Sequence, residues 1–222
     1  ESILRHKELE FIPKGFTKEE FEKLKKETRK FLSEKFQIDF TTKPIIANGH
    51  QPEFQHPGIL FKDLLIHKIA GLPNGLPLHV VVDTDHFEMS YFYPERLETG
   101  FAHLKTLHLK DADNRIYSQT TLSEADRKEL LSIIQSQQEE AKYFISPKIQ
   151  KEFTAILNRK LELVKSCEYL FEINETIREE FYQSKGIHLY RVNVSELVKL
   201  HSFKVLVEKI REHLGDFMQV YN

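Results

Sequence analysis

Two short stretches collect the side chains best able to do chemistry: Gly49-His50-Gln51-Pro52-Glu53 with His56, and Asp83-Thr84-Asp85-His86 with Glu88. Imidazoles such as His50, His56 and His86 can hold an anion or move a proton near neutral pH. Carboxylates such as Glu53, Asp83 and Asp85 can accept a proton or orient an amine or hydroxyl. Gly49 permits close backbone approach to a ligand, and a helix starting near Pro57 would offer free N–H groups and a positive dipole end to an anion.

These residue types leave three readings open. The first is a crevice for a nucleotide or phosphate, although the segment has neither the three-glycine dinucleotide fingerprint nor a P-loop lysine-serine pair. The second is a metal site, in which His50, His56, Asp83, Asp85, His86 and Glu88 supply nitrogen and oxygen ligands for zinc, manganese or iron. Their spacing matches no single-segment metal motif. The third is structural: the histidines pin backbone carbonyls, and Asp83, Asp85 and His86 cap the turn after a strand. Tyr91-Phe92-Tyr93 could stack on a planar ligand or simply pack. Cys167 lies in a helical stretch far from both loops and reads as a small buried apolar group, while His67 and His79 read as core or rim residues.

The elements that must position these loops form a β-loop-α-β unit over residues 44–87. Ile45-Ile46-Ala47 is a short strand, apolar as expected when both faces of a parallel sheet are covered. An apolar helix follows from Pro57, with Ile59, Leu60, Phe61, Leu64, Leu65, Ile66, Ile69 and Ala70 around most of its circumference. That pattern predicts deep burial, with Gly71 and Pro73 as the stop. Leu78 to Val82 is the second strand. Ligands of open parallel sheets bind outside the carboxyl ends of the strands, so both polar loops are expected at one crevice.

Around this unit, Thr17-Lys-Glu-Glu20 is a capping box opening an amphipathic helix over 18–36. Alternation over 104–110, turn residues at 111–114 and Arg115 to Thr120 predict a hairpin. Ser123-Glu-Ala-Asp126 caps a helix to about Glu140, Ser146-Pro147 begins another, and a third covers 167–184. Ile187 to Asn193 reads as a third core strand, followed by a helix capped by Ser195. The expected organisation is one domain over 1–222, with an insertion at about 90–184 and a returning strand and helix at 187–222. The chain begins at Glu1 and is still in a helical pattern at Phe203 to Asn222, so it is expected to be a piece of a longer protein.

Composition narrows the function classes. The 32 basic and 34 acidic residues are interspersed and the formal charge is −2, which gives no broad footprint for nucleic acid or anionic membrane. One cysteine excludes an intrachain disulfide and a cysteine-based zinc site, and fits a cytoplasmic location. No apolar run reaches the roughly 18 residues of a membrane span.

Gly49-His50-Gln51-Pro52-Glu53-Phe54 with Pro57-Gly58, followed by Val80-Val81-Val82-Asp83-Thr84-Asp85-His86-Phe87-Glu88, resembles the amino-terminal Rossmann-like domain of the bacillithiol-biosynthesis cysteine-adding enzymes. Those proteins carry a glycine-glutamine-glutamine-proline loop after the first strand and a glutamate-aspartate-histidine-aspartate run after the second. A glutamine-proline loop at that place is also similar to WbqC-type proteins. The resemblance implies a nucleotidylyltransferase-like Rossmann core with inserted segments and a coiled coil, and a ligase joining cysteine to a glucosaminyl malate. By it, Gly49, Gln51 and Pro52 match the first loop, Asp85 and His86 the second, and Glu88 a further acidic position. His50 replaces the first glutamine, Thr84 stands where the family has glutamate, and Glu53 and His56 have no counterpart.

The expectation drawn from all of this is an α/β protein with a Rossmann-like, mostly parallel sheet and helical and hairpin insertions. It would be a ligase or transferase acting on a small polar metabolite, with a nucleotide or phosphate site at the first strand-helix loop and no cofactor assigned beyond that nucleotide. His50, His56, Asp85 and His86 are the expected catalytic residues, and Gly49, Gln51, Glu53 and Asp83 the expected substrate-binding ones. A metal-dependent hydrolase and a non-catalytic ligand-binding or assembly module are the alternatives. A small-molecule substrate is the expected partner, with no nucleic acid, no membrane and a homodimer formed through a region beyond this chain.

Overall fold

A computed structural model describes residues 12, 15–52, 57–72, 74–86, 90–96, 102–108, 115–144 and 146–221. The capping box forms as expected: Thr17 Oγ1 accepts from the Glu20 amide at 3.2 Å while Glu20 accepts from the Thr17 amide at 2.8 Å. It opens α1 (Lys18–Phe36). Then come β1 (Ile45–His50), α2 (Pro57–Gly71) and β2 (Leu76–Val81), the β-loop-α-β unit read from the sequence. The strands are parallel neighbours in the register Ile45↔Leu76 to His50↔Val81. β3 (Ser90–Arg96) and β4 (Ala102–His108) form a separate antiparallel pair. α3 (Glu124–Ala141), α4 (Pro147–Ser166) and α5 (Leu170–Ser184) follow. β5 (Tyr190–Asn193) then pairs parallel with β2 and gives a sheet of order β1-β2-β5. The chain continues through α6 (Val194–Leu197), α7 (His201–Glu212) and α8 (Leu214–Tyr221). The class is mixed α/β with a small open parallel sheet. No described helix is long and apolar enough to cross a membrane.

The alternation of side chains along each strand gives the sheet two unlike faces. Leu76, Leu78 and Val192 point to one face, where buried Leu32 and Phe40 and the partly buried Phe36, Ile45 and Tyr190 complete a dry cluster. Asn48, His79 and Arg191 point to the other, toward α2 and α5, and there the packing is polar. α5 serves two layers at once. Ile173 and Ile177 enter a second apolar core with Leu130, Ile134 and Leu157 of α3 and α4, while Asn174, Arg178 and Tyr182, spaced by four, turn to the sheet.

Three sequence expectations are corrected. α2 is not deeply buried: Ile59, Asp63, Ile66 and Ala70 face inward, but Phe61 is 64% exposed and Leu64 and Leu65 stay above 40%. The helix covers the outside of the sheet with one stripe only, and its apolar residues on all sides conceal which stripe that is. The hairpin is built from 90–96 and 102–108, whereas 115–120 forms a single bridge from Ile116 to His86 and a 3₁₀ turn at Tyr117–Gln119. The expected turn at 111–114 lies outside the described residues. Finally, Asn193, not Ser195, takes the cap position of α6, with Glu196 accepting from the Asn193 amide at 3.2 Å.

Candidate functional site at the carboxyl ends of the strands

β1 and β2 leave the sheet on the same side because they are parallel, and that brings their exit loops together. The last ladder bond runs from the Val82 amide to the His50 carbonyl at 2.9 Å. One residue further on, the Gln51 side-chain amide donates to Asp85 Oδ2 at 2.7 Å, joining the two loops directly. The other oxygen, Asp85 Oδ1, accepts from the His86 amide at 2.8 Å. These bonds, Gln51 first and the His86 amide second, outweigh the modest desolvation of Asp85 and hold its carboxyl below the usual aspartate range. Asp85 is therefore a fixed anion at neutral pH.

His50 is half-buried, with Nδ1 3.4 Å from the Gln51 carbonyl. His86 is exposed beside Asp85. Gly49 packs closely on the neighbouring strand, where a Cβ would lie 3.0 Å from the Val80 carbonyl oxygen. Glu53, His56 and Glu88 lie outside the described residues, as do the side chains of Tyr91, Phe92 and Tyr93. Asp83 is turned away from the loops. It is fully buried, and its carboxylate accepts from the Ser195 amide at 2.9 Å and the Ser195 hydroxyl at 2.5 Å, tying the β2 exit to the first turn of α6. Asp83→Ala leaves both donors without an acceptor and is expected to lower stability by about 1–3 kcal/mol in urea unfolding. A loss under about 0.5 kcal/mol would mean that this tie is dispensable. Among the described residues, no group of three or more His, Cys, Asp or Glu side chains is arranged to hold a metal ion.

Behind the loops stands a buried polar network that the sequence reading did not single out. Asp63 accepts from Asn48 Nδ2 at 2.8 Å, from His79 Nδ1 at 2.7 Å and from the Tyr182 hydroxyl at 2.5 Å. Arg178 lies 3.0 Å from the other ring nitrogen of His79, and because a guanidinium can only donate, His79 Nε2 is the acceptor and Nδ1 carries the proton. Arg178 also meets Glu175 at 3.1 Å, and Arg191 continues the alternation of charge to Glu175 and Glu179. Burial and the neighbouring Asp63 push the Tyr182 hydroxyl well above its usual range. The available signals were a lone acid in an apolar helix, a histidine in an apolar strand, and the four-residue spacing of Asn174, Arg178 and Tyr182. Compared with known proteins, no family model matches the chain and no curated protein matches it significantly in sequence.

Proposed function

We propose that the chain is a Rossmann-like ligase or transferase related to the bacillithiol cysteine-adding enzymes, acting on a small polar metabolite with a nucleotide or phosphate over the first loop. The observation that carries the reading is the Gln51–Asp85 bond of 2.7 Å, which joins the exits of two parallel strands where open α/β sheets take their ligands. In this reading Asp85 accepts a hydrogen bond from a substrate amine or hydroxyl, Gln51 orients it, and His50 and His86 flank it for anion binding and proton transfer. The parallel β-loop-α-β order supports the Rossmann-like assignment.

A thermal-shift screen of ATP, other nucleotides, sugar phosphates, amino acids and divalent metals tests this. A ligand at 100 times its Kd stabilises by about 2.7 kcal/mol, a rise of several degrees for a chain of this size. The expected result is a nucleotide shift that disappears in His50→Ala and in Asp85→Asn. A shift with metals alone would replace the reading with the hydrolase. A response to nothing would replace it with the non-catalytic module.

A further inference from the structure

The first loop leaves the sheet at His50, and from there its carbonyls have no ladder partner. Buried or half-buried carbonyls must still find donors. Arg178 Nη2 reaches the Gln51 carbonyl at 3.4 Å and Asn174 Nδ2 reaches the Pro52 carbonyl at 3.0 Å. Two residues one turn apart on α5 thus hold two consecutive carbonyls of the loop. Both are buried, Arg178 completely and Asn174 to within 1%. The guanidinium has little freedom to move, because His79 from β2 and Glu175 on its own helix fix its other side, and Asp63 from α2 fixes His79 in turn. Among the described residues, Tyr182, Arg191 and Glu179 also carry titratable or charged groups beside this strut, and His50 Nδ1 lies 3.4 Å from the same Gln51 carbonyl.

We propose that Arg178 and Asn174 are positioning residues for the candidate site: by fixing the Gln51 and Pro52 carbonyls from α5, they set the Gln51 side chain against Asp85. The inference rests on reading the Gln51–Asp85 pair as the site. It adds a third element, α5, to the two strand exits, and neither residue touches a ligand. Arg178 acts through geometry that lysine can supply in part, since an ammonium can donate to the Gln51 carbonyl but cannot also span to His79 as a planar fork does.

The test follows the Asp85 carboxyl by carbon-detected NMR titration in the wild type, Asn174→Ala, Arg178→Lys and Arg178→Met, with a thermal midpoint measured for each. The Gln51 bond is the largest cause that lowers the Asp85 carboxyl, so its titration reads the aim of Gln51. We expect the Asp85 midpoint to rise toward that of an ordinary aspartate in Asn174→Ala and Arg178→Met, and to fall between the two in Arg178→Lys. A purely structural role would lower the thermal midpoint and leave the Asp85 titration where it was, and that result overturns the inference. Asn174→Ala removes one neutral bond and carries the test if Arg178→Met does not fold. No ligand is needed, so a thermal-shift screen in which neither ATP nor any other ligand binds would sink the ligase reading while leaving this result intact. An unmoved Asp85 with ATP still bound would do the reverse.

Discussion

Replacing Asp63 with alanine is expected to cost about 3–5 kcal/mol of folding free energy at neutral pH, among the largest losses available to a single polar side chain here. Asp63 is fully buried and accepts from three side chains on three other elements. Removing it leaves three buried donors without their acceptor and withdraws the anion that balances Arg178 through His79. The pH dependence has a definite sign. Burial alone would raise the Asp63 carboxyl, but the bonds from His79, Tyr182 and Asn48 prevail and hold it below its usual value. A carboxyl lowered in the folded state stabilises the fold above its unfolded pKa of about 3.9, and the contribution fades as pH falls through the folded value. The gap between wild type and variant should therefore be widest near pH 7 and narrow below about pH 4. Urea unfolding at pH 7 and pH 3.5 measures both. A gap under about 1 kcal/mol at pH 7, or one that widens in acid, would contradict this account.

That network shows where a linear reading stops. The β-loop-α-β unit, the capping boxes at Thr17 and Ser123 and the helices they open were legible because their signals are local: a periodicity, a cap, a stop. The meeting of Gln51 and Asp85 was legible one step further, because parallel neighbours must exit on the same side. The role of Asp83 was not. Its type and position fit a site residue as well as a cap, and Ser195, 112 positions away, decides the matter. Asp63, His79 and Arg178 each stand as one polar residue in an apolar or amphipathic pattern, and the side chains that join them across elements lie 15 to 119 positions off. Only the assembled sheet shows that they form one chain of bonds. The outer face of α2 was misread for a related reason: a helix apolar on every side gives no phase, so the sequence carries no record of which stripe meets the sheet.

Phe40→Ala should match the Asp63 loss in size, about 3–5 kcal/mol, but not in its response to pH. Phe40 is fully buried on the dry face of the sheet, with ring centroids 5.5 Å from Phe36 and 5.3 Å from Tyr190. Its removal opens a cavity among Leu32, Leu76, Leu78 and Val192, in a cluster whose members carry no carboxylate or imidazole. The loss should be the same at pH 7 and pH 3.5. Asp63 and Phe40 sit on opposite faces of the sheet and share no bonding partner, so their effects should add. The two alanine variants together would approach the whole stability of an ordinary domain, about 5–15 kcal/mol, so additivity is better read with Phe40→Leu and Asp63→Asn. A double variant within about 0.5 kcal/mol of the sum would mean that the two faces stabilise the sheet independently. A larger departure would mean that the dry face responds when the polar face loosens. In that case a change at the Arg178 strut would reach α1 through the sheet as well as the first loop.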